Sequence, residues 1–120
     1  SNKYEIIKID KIDNIVNRFT IDNKIILKLD VEGNEINALN GAKKTLKKDC
    51  LIIYEDHTKD IYHLNTKFLL NKNYLIYYFN QKKINQITNI NELSKIKKIS
   101  HKGYNFFATK SKLFITELNK

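Results

Sequence analysis

The chain has no proline, no methionine and no tryptophan, and only one cysteine, one arginine and three glycines in 120 residues. Each shortage excludes something. With Cys50 alone an internal disulfide is impossible, and a reducing, cytoplasmic location is the simpler expectation. No stretch of about 18 apolar residues occurs, so no membrane-spanning helix is expected. The opening Ser1-Asn2-Lys3-Tyr4 carries no apolar signal-peptide core. The missing methionine points to a chain excised from a longer one.

What is abundant is lysine. The net charge is +9, and every basic residue except Arg18 is a lysine. That charge suits a polyanion, but two observations argue against a nucleic-acid partner. Lysine, asparagine and isoleucine make up nearly half the chain, the mark of an A/T-rich coding bias, and no lysine run exceeds two. A single arginine leaves bidentate guanine contacts scarcely available.

Periodicity divides the chain into alternating elements of one domain, an α/β pattern. Tyr4 to Ile9 alternates as a strand, and Asp10 caps a helix with Asp13 in its first turn and Ile9, Ile12, Val16 and Phe19 on one face. After a turn at Asp22-Asn23, Ile25 to Val31 is apolar at nearly every position, as in strands covered on both faces. Asn34 caps a helix whose buried stripe is Ile36, Leu39, Ala42 and Leu46. Cys50 to Glu55 is a second buried strand, with Cys50 a structural thiol. Thr58 caps a third helix carrying Ile61, Leu64 and Phe68.

Tyr74 to Phe79 is an aromatic strand whose Tyr77, Tyr78 and Phe79 pack or cover a sheet edge, and Ile84 to Ile90 returns as a hairpin across Gln81-Lys82-Lys83. Asn91 to Ile99 is a short helix or irregular connection, Tyr104 to Thr109 is a last strand, and the tail from Ser111 is strand or helix. Strand, helix, strand, helix, strand implies parallel βαβ units and a mixed, mostly parallel sheet with flanking helices.

The chemistry-bearing residues sit where two strands end. Ligands of open α/β sheets bind beyond the carboxyl ends of the strands. Asp30 and Glu55 hold equivalent places in successive units, so adjacent parallel strands would bring both to one rim, with His57 two residues on. Two carboxylates and an imidazole can bind a metal, orient a hydroxyl or take its proton. Gly33 permits a sharp turn, and Glu32 and Glu35 flank it, Glu35 at a helix N-terminus. His63 and His101 have no companion at metal-ligand spacing, and no metal site is assigned.

Taken together, Lys28, Asp30, Val31, Glu32, Gly33, Glu35, Leu39, Gly41 and Ala42 resemble, in register, the signature of the FkbM-type methyltransferases, a strand reading K-I-D-V-E-G-x-E before a helix with a leucine and G-A. Glu55 resembles the glutamate that ends the family's next strand. Ile9-Asp10-Lys11-Ile12 resembles its T-L-D-D-L segment, and Gly103-Tyr-Asn-Phe-Phe-Ala108 its closing strand. The resemblance runs over roughly residues 5 to 110 and is strongest over 25 to 57.

It implies a Rossmann-like class I methyltransferase fold and S-adenosylmethionine as methyl donor. The acceptor would be a small-molecule hydroxyl, on a sugar or secondary metabolite. Asp30, Glu55 and His57 would be the catalytic candidates and Glu32, Gly33 and Glu35 the substrate-binding ones. The family's glycine-rich cofactor turn has no counterpart here, since Gly33, Gly41 and Gly103 form no G-x-G. The resemblance therefore covers the C-terminal half of such a domain, from its fourth strand onward, with the cofactor-binding residues unassigned. That fourth strand would be an open edge, covered by a second copy in a homodimer or by the Tyr4 to Ile9 strand. A non-catalytic remnant that dimerises or binds a partner is the alternative reading.

Overall fold

Among the described residues five strands form one sheet in the order β1-β2-β5-β3-β4. The computed structural model describes residues 9–19, 23–80, 82–98 and 103–120. In chain order the elements are α1 (Ile12–Val16), β1 (Lys24–Leu29), α2 (Glu35–Asn40), β2 (Asp49–His57), α3 (Leu64–Asn71), β3 (Leu75–Asn80), β4 (Lys83–Ile87), α4 (Glu92–Ile96), β5 (Gly103–Thr109) and α5 (Lys112–Leu118). Among the described residues no helix is long and apolar enough to cross a membrane. The expected Tyr4 to Ile9 strand lies, apart from Ile9, outside the described residues.

The sheet is mixed, as expected, but the expectation that it is mostly parallel is corrected. Only β1 and β2 pair in parallel, from Lys24 opposite Asp49 to Leu29 opposite Tyr54. β5 runs antiparallel to β2 on one side and to β3 on the other, and β3 and β4 form the expected hairpin. β1, β2 and β3 thus point one way. After β4 the chain passes through α4 to the level of His57, where β5 begins and runs antiparallel between β2 and β3.

β2 is the spine of the core. Cys50, Ile52 and Tyr54 alternate onto one face and are buried there with Leu39, Leu69 and Leu93 from α2, α3 and α4. Phe106 of β5 is fully buried with Tyr54 at 5.8 Å and Tyr78 at 6.5 Å between ring centroids. Cys50 is the buried thiol expected, pushed up to about 11 by burial.

The other face is less covered. β1 alternates, with Lys24, Ile26 and Lys28 exposed and Leu29 buried. Its apolar run is therefore not a strand covered on both faces. An edge position leaves one side of Ile26 at 62% exposure.

Helix boundaries differ from the periodicity where side-chain bonds intervene. α1 is only five residues long, so Ile9 and Phe19 fall beyond its ends and are exposed, while Ile12 packs against the core. Its anchor is Asp13, whose carboxylate accepts from the backbone N–H of Lys44 at 2.9 Å, and from the N–H and hydroxyl of Thr45 at 2.8 and 2.7 Å. The stripe on α2 is split, because the helix ends at Asn40 and Leu46 sits on a separate 3-10 turn, Thr45–Lys47. Asn34 precedes α2 without a side-chain cap bond.

α3 starts at Leu64, six residues after Thr58, and Ile61 lies outside it, exposed. Asp60 displaces Thr58 as its starting signal by accepting from the N–H groups of Tyr62 and Leu64 at 3.0 and 2.8 Å. The tail is helical, with Ser111 as its N-cap.

The asymmetry of the sheet predicts unequal costs. Ile52→Ala should lower unfolding free energy by about 2–5 kcal/mol, while Ile26→Ala should change it by less than about 0.5 kcal/mol. Urea denaturation measures both, and equal losses would refute the one-faced core.

Candidate active site

The parallel register sets the site. Leu29 and Tyr54 are the last paired residues of β1 and β2, so Asp30 and Glu55 follow them at the same level of the sheet. Beyond Leu29 the chain turns through Val31, Glu32 and Gly33, with Asn34 N–H bonded to the Val31 carbonyl at 3.1 Å. Gly33 has φ +84°, and the space where a Cβ would stand is empty. Its left-handed backbone, not crowding, is what calls for glycine. The turn delivers Glu35 as the first residue of α2.

β2 does not stop at Glu55. β5 pairs with it through Asp56 and His57, opposite Tyr104 and Gly103, and so carries His57 forward. A cavity of about 570 Å³ opens here, walled by Glu32, Gly33, Glu35, Glu55, His57 and Asp60. Five of the six candidate residues therefore meet at one cavity. Asp30 is exposed and does not line it, so the cost of burying its charge is not a reason for its presence.

Glu35 is the unusual member. It is only 5% exposed, and its Oε2 has no hydrogen-bond partner among the described residues. A buried carboxylate oxygen without a donor is costly. His57 has a defined part. Its Nδ1 accepts from the Lys59 backbone N–H at 3.0 Å, so the neutral ring carries its proton on Nε2. In this geometry His57 presents a donor, and Glu55 and Glu35 are the groups free to accept a proton. Among the described residues no group of three or more His, Cys, Asp or Glu is placed to hold a metal ion.

A family model, the methyltransferase FkbM domain, matches residues 2–105. The chain belongs to the FkbM methyltransferase domain family. No curated protein and no solved structure matches it. In this FkbM domain Glu32, Gly33, Glu35 and Ile36, which follow the recognisable strand, form one wall of the acidic cavity, and the end of β2 forms another.

Behind that cavity lies a buried polar network that periodicity did not reveal. Asp56, 1% exposed, points to the helix-covered face and forms an ion pair with Lys97, itself buried. The other oxygen of Asp56 accepts from the Thr66 hydroxyl at 2.7 Å, and Thr66 is 2.8 Å from the Tyr54 hydroxyl. Since Thr66 donates to Asp56, Tyr54 donates to Thr66. Lys97 also donates to the Asp60 carbonyl at 2.9 Å and to His63 Nδ1 at 2.8 Å.

His63, set aside by its lack of a metal-ligand companion, thus has a structural role, in a left-handed backbone with φ 54°. Burial, and next the Lys97 ammonium, hold its pKa below the usual value. Burial likewise raises the Tyr54 hydroxyl well above its ordinary range. One signal was available: Asp56 continues the Ile52, Tyr54 alternation onto the core face. Lys97, 41 residues away, had none.

Removing one member of this pair should be severe. Lys97→Met strands the Asp56 charge and should cost about 3–5 kcal/mol, with the double variant Asp56→Asn, Lys97→Met costing less than the sum of the two single changes. Urea denaturation of the four proteins tests this.

His63 adds a pH dependence. The unfolded chain takes up a proton near pH 6.5 that the folded chain resists. Stability is thus full above that pH and falls as pH drops through it toward the lower folded value. His63→Gln should flatten the acid-side slope of melting temperature, and an unchanged slope would count against it.

Proposed function

We propose that this chain forms the acceptor side of an S-adenosylmethionine-dependent O-methyltransferase acting on a hydroxyl of a small molecule, a sugar or secondary metabolite. The observation that carries the reading is the meeting of Glu35, Glu55 and His57 at one cavity beyond the carboxyl ends of β1 and β2, where open α/β sheets bind ligands. Family membership supplies the reaction class. Rossmann-like character is supported by the parallel β1–β2 pair joined through α2 and by the common direction of β1, β2 and β3. In a sheet ordered 3-2-1-4-5-6, β1 and β2 read as strands four and five.

S-adenosylmethionine, which the family implies, supplies an electrophilic methyl group when bound. The described residues do not fit it: no pair of glycines forms a cradle at a strand end, and Gly33 serves a turn with open space around it. The roles assigned here are therefore those toward the acceptor. The His57 Nε2–H holds an acceptor oxygen, and Glu55, half-buried and without a side-chain partner among the described residues, takes the hydroxyl proton. The lone, buried Cys50 suits a cytoplasmic setting.

A second reading has its own observation. β1 is the edge of the sheet among the described residues, and Ile26 projects from it exposed. Such an edge pairs readily with another strand, which supports a role as a dimerising module.

The two readings separate by experiment. Calorimetric titration of the chain with S-adenosylhomocysteine should give no saturable heat; tight binding would overturn the assignment of the cofactor site elsewhere. In the methyl-transferring protein that carries this chain, Glu55→Gln should lower kcat by about 10²–10⁴-fold, and an unchanged rate sinks the acceptor-side role. Sedimentation at rising concentration should show dimers that Ile26→Lys abolishes if the edge pairs.

A further inference from the structure

The cavity between α2 and the end of β2 is acidic in a protein that is strongly basic. Four acidic residues, Glu32, Glu35, Glu55 and Asp60, line it against a single lysine, Lys59, while the whole chain carries +9. The Lys59 N–H engages the Nδ1 lone pair of His57. Asp60 is occupied at the start of α3. The carboxylates of Glu32, Glu35 and Glu55 have no hydrogen bond or ion pair among the described residues.

Acidic surface residues alone would say little, since water satisfies them. Glu35 is different. It is nineteen-twentieths buried in the cavity wall, with an oxygen that nothing among the described residues satisfies, in a chain of 21 lysines. Its charge is paid for neither by a cap nor by an ion pair. A cation in the cavity would offset the charge of the Glu35 carboxylate and gain from Glu32 and Glu55 as well. A metal ion is the poorer candidate, because these carboxylates are not placed as a ligand group. An ammonium carries three donors that can be shared among separated carboxylates. The volume, about 570 Å³, is that of a site for a small molecule, and Ile36 and Leu64 give it an apolar wall for a carbon frame.

We propose that the acceptor bound in this cavity carries a protonated amine beside its hydroxyl groups, as an amino sugar or amino alcohol does, and that Glu35 and Glu32 hold the ammonium while Glu55 and His57 face a hydroxyl. This rests on the reading of the cavity as the acceptor site. It deepens that reading by adding a charge requirement which neutral sugars do not meet.

The test uses the chain itself and needs no methyl donor. Glucosamine, N-acetylglucosamine and glucose are titrated separately into the ¹⁵N-labelled protein and followed by amide chemical shifts. Glucosamine should bind at least about tenfold more tightly than the two neutral sugars, lose that advantage in high salt, and shift amides of Glu32 to Ile36 and Glu55 to Asp60. Glu35→Gln should reduce the preference to about twofold or less. Glu32→Gln, at an exposed position, should reduce it in part without threatening the fold.

Equal affinity for the three sugars, or shifts confined to the lysine-rich end of the sheet, would overturn the proposal. Its fate is separable from that of the methyltransferase reading. Amine preference without methyl transfer in the parent protein keeps this inference and removes that one. Methylation of glucose as fast as glucosamine does the reverse.

Discussion

The buried pair of Asp56 and Lys97 is the contact on which the site depends. A carboxylate at the end of β2 and an ammonium just after α4 are both taken out of water, which is tolerable only because every other polar partner is in place. Lys97 reaches back to the Asp60 carbonyl and to His63, and so fastens the connection from β2 to α3 from behind. That connection carries Lys59 and Asp60 into the cavity wall, and the Lys59 N–H in turn fixes His57. The tautomer of His57, and with it the division of labour between donor and carboxylate, follows from a loop held by an ion pair on the other side of the sheet.

The strand alternation makes this possible. Along β2, residues 52, 54 and 56 face the helices and residues 55 and 57 face away, so adjacent acids have unrelated fates. Asp56 is locked into structure, while the Glu55 carboxylate, at the cavity, has no partner among the described residues. β5 is the device that extends β2 far enough for both. Its antiparallel pairing continues through His57, three residues beyond the last residue that β1 supports, Tyr54. A purely parallel sheet with a strand ending at Glu55 would leave His57 in a loop.

Local physics explains which parts of this were legible in the sequence. Apolar runs with β-branched and aromatic residues located β1, β2, β3, the β3–β4 hairpin and β5, because strand burial has a short period. The turn at Gly33 and the helix after it were legible because one residue type suits that backbone. Sheet order was not, since nothing in the Gly103–Thr109 segment states that it inserts between β2 and β3. Helix ends were misread where a side chain from afar supplies the cap or anchor, as Asp13 does for the turn at Lys44 and Thr45. Likewise, five of six candidate site residues converged because strand ends share a rim, whereas the Asp56–Lys97–His63 network joins residues too far apart for any periodicity to link.

Charge distribution along β2 gives these observations a common sense. At the start of β2 a larger cavity, about 710 Å³, is ringed by Lys43, Lys47, Lys48, Lys72, Lys110 and Lys112. Lys72 and Lys110 lie over the rings of Phe68 and Tyr74, at 5.1 and 4.6 Å from their centroids, which occupies the faces a nucleobase would stack on. At the other end of the same strand the carboxylates gather. If coding bias alone placed the lysines, both ends of the sheet would receive them equally. The acidic cavity instead retains one lysine among four acids, and it does so around Glu35, which is buried and has an oxygen without a partner among the described residues. That separation is why the excess of positive charge in this chain does not describe its site. The site is where the excess is absent, and a positively charged ligand is what the local field would draw there.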